Sequence, residues 1–133
     1  MFFFSDSLLE SVAEHGGFIG FGKLLETKFD LLHIEALDSI SLYSNSGSER
    51  IRKFVVDSNI VDNLIALLPT ATQDVQLKTL VIIANLSNDE AILAQLSANE
   101  KTREVLQGLN TQSSEIKTIA QKVLGLLPTQ SSN

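Results

Sequence analysis

His15 and His33 are the only imidazoles in this 133-residue chain, and no cysteine accompanies them. Metal sites and activated nucleophiles are built from clusters of such groups. The absence of cysteine excludes disulfides and thiolate metal sites. His15 falls in the last turn of a predicted helix, where a charged imidazole would suit the local dipole. His33 stands near the start of a longer helix. Asp6, Glu10 and Glu14 recur every fourth residue, which puts three carboxylates on one helix face. Paired carboxylates do acid–base work only with a cleft and partners from elsewhere, so a solvated acidic stripe is expected. Gly17-Phe18-Ile19-Gly20-Phe21-Gly22 has the glycines of a phosphate-cradling loop, but in reversed spacing and with no strand before them. Those glycines are expected to sit in a helix and weaken it by roughly 1 kcal/mol each relative to alanine. Asn85-Leu86-Ser87 fits a glycosylation sequon at a helix end. Nothing here assembles into a catalytic constellation. The expectation is a non-enzyme with no cofactor and no metal.

The elements that carry these residues echo one another. At a spacing of 43, Leu8 falls on Ile51, Val12 on Val55, Phe21 on Leu64, Leu37 on Leu80 and Ile40 on Ile83. The turn Ser44-Asn45 falls on Ser87-Asn88. The last third continues at 41, with Ile51 on Ile92 and Val55 on Leu96. It then runs at 39, with Leu77 on Ile116, Leu80 on Ile119 and Ala84 on Val123. The change falls where a loop is expected, and loops absorb deletions that would rotate a helix off its core. A fixed period in this range is the mark of stacked helical repeats.

Within each unit the pattern predicts a short helix, a second helix and a longer third one. The first unit runs from a Ser7–Glu10 capping box to Gly16-Gly17, then Phe18 to Glu26, then Asp30 to Tyr43. The second predicts helices over 49–57, 59–68 and 74–86, with a break at Pro69 to Thr72. In the third, Asn88 caps 89–96, 100–109 follows, and Ser113 or Ser114 caps a helix through Leu127. No stretch alternates with period two, so strands are not expected.

Composition agrees with a folded domain: 44% of residues are hydrophobic and 20% charged. The longest apolar runs fall far short of the roughly 20 residues of a membrane-spanning helix. Met1-Phe2-Phe3-Phe4 lacks the basic flank and apolar length of a signal peptide. A cytosolic or nuclear location is the default. Residues 1–48 hold seven acids and two bases, which accounts for −5 of the net charge of −6. Nucleic acid and anionic membranes need clustered Lys and Arg, so neither is expected as a ligand. A basic partner segment would suit the acidic third.

The stretch Arg50 to Asn88, RIRKFVVDSNIVDNLIALLPTATQDVQLKTLVIIANLSN, resembles an armadillo repeat. Asn59-Ile60-Val61-Asp62-Asn63-Leu64-Ile65-Ala66-Leu67-Leu68 is similar to that family's second helix. Asp74-Val75-Gln76, followed by Ile83-Ala84-Asn85-Leu86-Ser87, is similar to its third. The resemblance implies an all-α, right-handed α-solenoid of three armadillo-like units, about 5–46, 47–88 and 89–127, with 128–133 as a frayed tail. HEAT repeats are the neighbouring family for the last unit. It also implies a concave face lined by the third helices. The family's peptide binders carry a Trp four residues before the Asn. Val81 stands there in this chain, with Asp38 and Ala120 as counterparts. Asn85 is matched elsewhere by Leu42 and Leu124, so the asparagine ladder of nuclear-import receptors is not expected.

Helical spacing then selects a surface. Lys78, Val81, Ile82 and Asn85 share one face of the second long helix, opposite Leu77, Leu80 and Ala84. Glu35, Asp38 and Leu42 are the equivalents before it, and Lys117, Gln121 and Leu124 those after it. That gives a groove acidic at one end and carrying two lysines toward the other. The expected function is a protein-binding scaffold or adaptor for a protein or peptide partner. Two alternatives stand beside it. One is a structural subunit, part of a larger solenoid or complex or a homo-oligomer, that docks through the hydrophobic edge Phe2, Phe3 and Phe4. The other is a regulator of a GTPase or chaperone.

Overall fold

The computed structural model describes residues 6–109 and 113–128. Among these are nine α-helices, one 3-10 turn (Leu68–Thr70) and no strand. The first three helices are α1 (Asp6–Glu14), α2 (Gly17–Leu25) and α3 (Asp30–Ser44). The next three are α4 (Glu49–Ser58), α5 (Ile60–Leu67) and α6 (Gln73–Leu86). The last three are α7 (Glu90–Ala98), α8 (Lys101–Gln107) and α9 (Ser114–Leu126). The fold is all-α, as expected.

Side-chain caps set several of the starts, each satisfying a backbone donor that a first turn leaves free. Ser48 accepts from the Ile51 N–H, Thr72 from Val75 and Ser113 from Ile116. Asp89, not Asn88, caps α7 by accepting from Ala91. The Ser7–Glu10 capping box does not form. The helix already begins at Asp6, so Ser7 lies inside it, and Glu10 instead accepts from the Ser48 hydroxyl at 3.1 Å. Left-handed residues turn the first helix of a unit into the second: Gly16 at φ 87° and Asn59 at φ 55°. Gly17 opens α2 and does not close α1. A side chain there would sit 2.7 Å from the Val12 Cγ1 and 2.9 Å from its carbonyl oxygen. The close approach of the two helices therefore requires glycine.

Each helix packs on the one three further along the chain. α1 meets α4 and α4 meets α7; α2 meets α5 and α5 meets α8; α3 meets α6 and α6 meets α9. One continuous core runs through all of them, with Leu37, Ile40, Ile51, Leu64, Leu80, Ile83 and Leu96 almost wholly buried.

Burial corrects two registers. In α1 the structure buries Leu9 and Ala13, leaving Leu8 46% and Val12 40% exposed. The α1–α4 spacing is thus 42, with Leu9 facing the role of Ile51 and Ala13 that of Val55. In α9 the buried set is Ile116, Ala120 and Val123, followed by Leu127. These match Val75, Thr79, Ile82 and Leu86 of α6, and the cap Ser113 matches Thr72, a spacing of 41 and not 39. The spacing of 43 holds for α3 against α6, where Ala36, Leu37, Ile40 and Tyr43 are buried like Thr79, Leu80, Ile83 and Leu86.

Hydrogen bonds repeat at the same spacing. The Thr27 hydroxyl donates to the Leu24 carbonyl and that of Thr70 to the Leu67 carbonyl. His33 Nε2 donates to the Thr27 carbonyl at 2.6 Å, and at the matching position Gln76 Nε2 donates to the Leu68 carbonyl at 2.9 Å. The His33 and Gln76 bonds each tie the start of a third helix to the turn before it.

Tyr43 is the chain's single tyrosine. Its ring packs edge-on against Phe18 at 4.8 Å, and its hydroxyl donates to the Leu9 carbonyl at 3.1 Å, locking α3 to α1. Burial pushes its phenol above the ordinary value of 10.0. A raised folded-state value favours the protonated fold, so this contribution is complete below pH 10 and is lost as pH rises through the folded value. Phenolate absorbance should therefore appear at higher pH in the native protein than in urea, together with unfolding. Tyr43→Phe should cost about 1 kcal/mol at neutral pH and remove that alkaline component. A native titration matching the denatured one would contradict this.

Candidate interaction surface

The exposed faces of α3, α6 and α9 carry most of the residues selected from sequence. Glu35, Asp38 and Leu42 are exposed on α3, Lys78 and Val81 on α6, and Lys117 and Gln121 on α9; Asn85 is half-buried. Ile82 does not belong with them. It is 3% exposed, whereas Val81 beside it is 42% exposed. The reason is the position of α6 between α3 and α9, which widens its buried arc to Val75, Thr79, Leu80, Ile82, Ile83 and Leu86. Leu77 and Ala84, expected on the buried stripe, are only partly buried. The corrected α9 register also moves its equivalents. Ile119, Lys122 and Leu126 take the places of Lys78, Val81 and Asn85, while Leu124 is half-buried and packs against the core.

The charges of this strip are partly spent on one another. Lys78 Nζ stands 3.2 Å from Asp38 Oδ1, joining α6 to α3 across the surface. What remains is exposed apolar surface at Leu42 and Val81, bordered by that ion pair on one side. On the other side the Asn85 amide donates to Asn45 Oδ1 at 3.4 Å. Here the strip runs into a cleft of about 310 Å³ lined by Asn45, Arg52, Asn85, Asn88, Asp89 and Ile92, among others. Helical spacing along α3, α6 and α9 does not mark Asn45, Arg52 or Asn88. The repeated Ser-Asn turn was the available signal, since Asn45 and Asn88 each reach back to a carbonyl of the helix they follow.

The residues that suggested other chemistry are accounted for differently. Glu10 and Glu14 share a face and both pair with Arg50, at 3.8 Å for Glu10, so the carboxylates hold α1 to α4. His15 is exposed and its Nδ1 donates to the Ser11 carbonyl at 2.6 Å. Among the described residues no group of three or more His, Asp or Glu side chains could hold a metal ion. Among the same residues no helix is long and apolar enough to cross a membrane. Phe2, Phe3 and Phe4 lie outside the described residues, as does the stretch 129–133. No known family model matches the chain, and no curated protein matches it.

Proposed function

We propose that the chain is a non-catalytic protein-binding scaffold in which three helix triplets stack as a right-handed armadillo-type α-solenoid. α3, α6 and α9 line the face it presents to an extended protein segment. The observation that carries this reading is the stacking of every helix on the one three further along. Such units bury their apolar faces against neighbours and leave a continuous surface for binding. On that surface Leu42 and Val81 supply apolar area, and the Asn45 and Asn85 amides supply donors and acceptors that suit a peptide backbone.

Random-peptide phage display on the purified chain tests it. Enriched peptides should lose affinity by about tenfold or more with Val81→Asp or Asn85→Ala, the effect of a residue worth more than about 1 kcal/mol. Enrichment indifferent to both changes would defeat the groove.

One observation favours the second reading, a structural subunit, with the first triplet in place of the Phe2-Phe3-Phe4 edge as its docking surface. Among the described residues eight large apolar side chains are exposed, and six of them (Leu8, Val12, Ile19, Phe29, Leu31 and Leu42) belong to α1–α3 and the turns between them. If the display enriches nothing and the chain sediments as a dimer, that edge is the functional surface.

A further inference from the structure

The opposite end of α3 from Asn45 holds another opening. A cleft of about 690 Å³ lies between the end of α2, the start of α3 and α5, and its lining includes Glu26, Lys28, Asp30, His33, Asp62 and Asn63. Three carboxylates thus face one ammonium. Asp62 takes hydrogen bonds from the Asn59 and Asn99 amides, which are neutral donors and leave its charge uncompensated. Glu26 forms no ion pair with any described residue, and Asp30 approaches only His33.

His33 gives this acidic cleft its chemistry. The residue is 6% exposed. Its Nε2 is 2.6 Å from the Thr27 carbonyl oxygen. A carbonyl only accepts, so Nε2 carries the proton, and in the neutral ring Nδ1 is left as an acceptor. That Nδ1 is buried without a hydrogen-bond partner. The nearest carboxylate oxygen, Asp30 Oδ1 at 3.9 Å, is itself an acceptor. Gln76 performs the same structural task in the second triplet with an amide N–H. The task needs one donor, and the second ring nitrogen of His33 is surplus to it.

We propose that this cleft binds a cationic side chain, an arginine or lysine of a partner protein. A guanidinium or ammonium group brings together the donor that Nδ1 lacks and the positive charge that Glu26, Asp30 and Asp62 lack. The Asp30 side chain is 55% exposed with Oδ1 3.9 Å from Nδ1, so it stands where it can pair with the same entering cation. The site does not depend on the α3–α6–α9 strip.

The test is an NMR titration of the full chain at fixed pH with Nα-acetylarginine amide, with Nα-acetylnorleucine amide as the uncharged control. Saturable shifts are expected at the His33 ring protons and at the backbone amides of Thr27, Asp30 and Asn63, and none with the control. Asp30→Asn should weaken binding about two- to fivefold, the range of an exposed ion pair. His33→Gln keeps the donor that Gln76 exemplifies and should fold, yet bind about tenfold or more weaker through loss of the charged hydrogen bond. The proposal is overturned if these residues show no saturable shift, if norleucine amide reproduces the shifts, or if both variants bind arginine amide unchanged.

Discussion

Ile82→Asp should abolish cooperative folding, while Val81→Asp, one residue earlier, should leave stability within about 0.5 kcal/mol of the parent. The two positions differ only in which side of α6 they occupy. Ile82 is 3% exposed where α6 is enclosed by α3 and α9, and Val81 faces solvent. A carboxylate at position 82 would be buried, and the cation one turn before it, Lys78, is exposed and already paired with Asp38. Burial of an unpaired charge costs several kcal/mol even after relaxation, against the 5–15 kcal/mol that holds a typical domain together. Urea unfolding followed by helical circular dichroism decides the matter. A parental midpoint for Ile82→Asp would mean that α6 is not enclosed as described. The comparison also bears on function: because Val81→Asp keeps the fold, any loss of peptide binding it causes is a loss of surface.

The periodicity of the apolar residues was enough to read the helices, their order and most of their ends, because each helix has one strongly buried stripe. It failed where two stripes were available. In α1, Leu8 with Val12 and Leu9 with Ala13 have the same spacing, and apolar size favours the first pair. The structure buries the second pair, in a helix that Gly17 lets α2 approach closely. In α9, Ile119 and Ala120 are adjacent apolar residues, and only burial shows that Ala120 faces α6. The burial of Ile82 is hidden in the sequence for a different reason. A single-stripe pattern cannot show that a middle helix is covered on two sides. The polar counterpart Ser39 on α3, a helix with one such neighbour fewer, was the clue. The clefts were less legible still. Stacking between units joins Asn45 to Asn85 and sets His33 and Asp62 around one cleft, and no local spacing encodes either arrangement.

Leu80→Ala should cost about 2–5 kcal/mol, as large-to-small changes in a well-packed core do. Leu80 is fully buried on the middle helix of the α3–α6–α9 row, so the cavity weakens the one element that both outer triplets rest on. In stacked units, stability is a sum of intrinsic terms and neighbour interfaces. Damage to a central interface therefore propagates, whereas Leu127→Ala at the far end should loosen little beyond α9. The expected result is a single urea transition at a much lower midpoint with an unchanged slope, because the whole chain still unfolds together. Hydrogen exchange on the same variant gives the sharper test. If α1–α3 stay protected after α7–α9 have exchanged, the triplets stand separately. The α3–α6–α9 face would then be three short surfaces on a flexible chain, too poorly ordered to hold an extended partner without a large entropic cost.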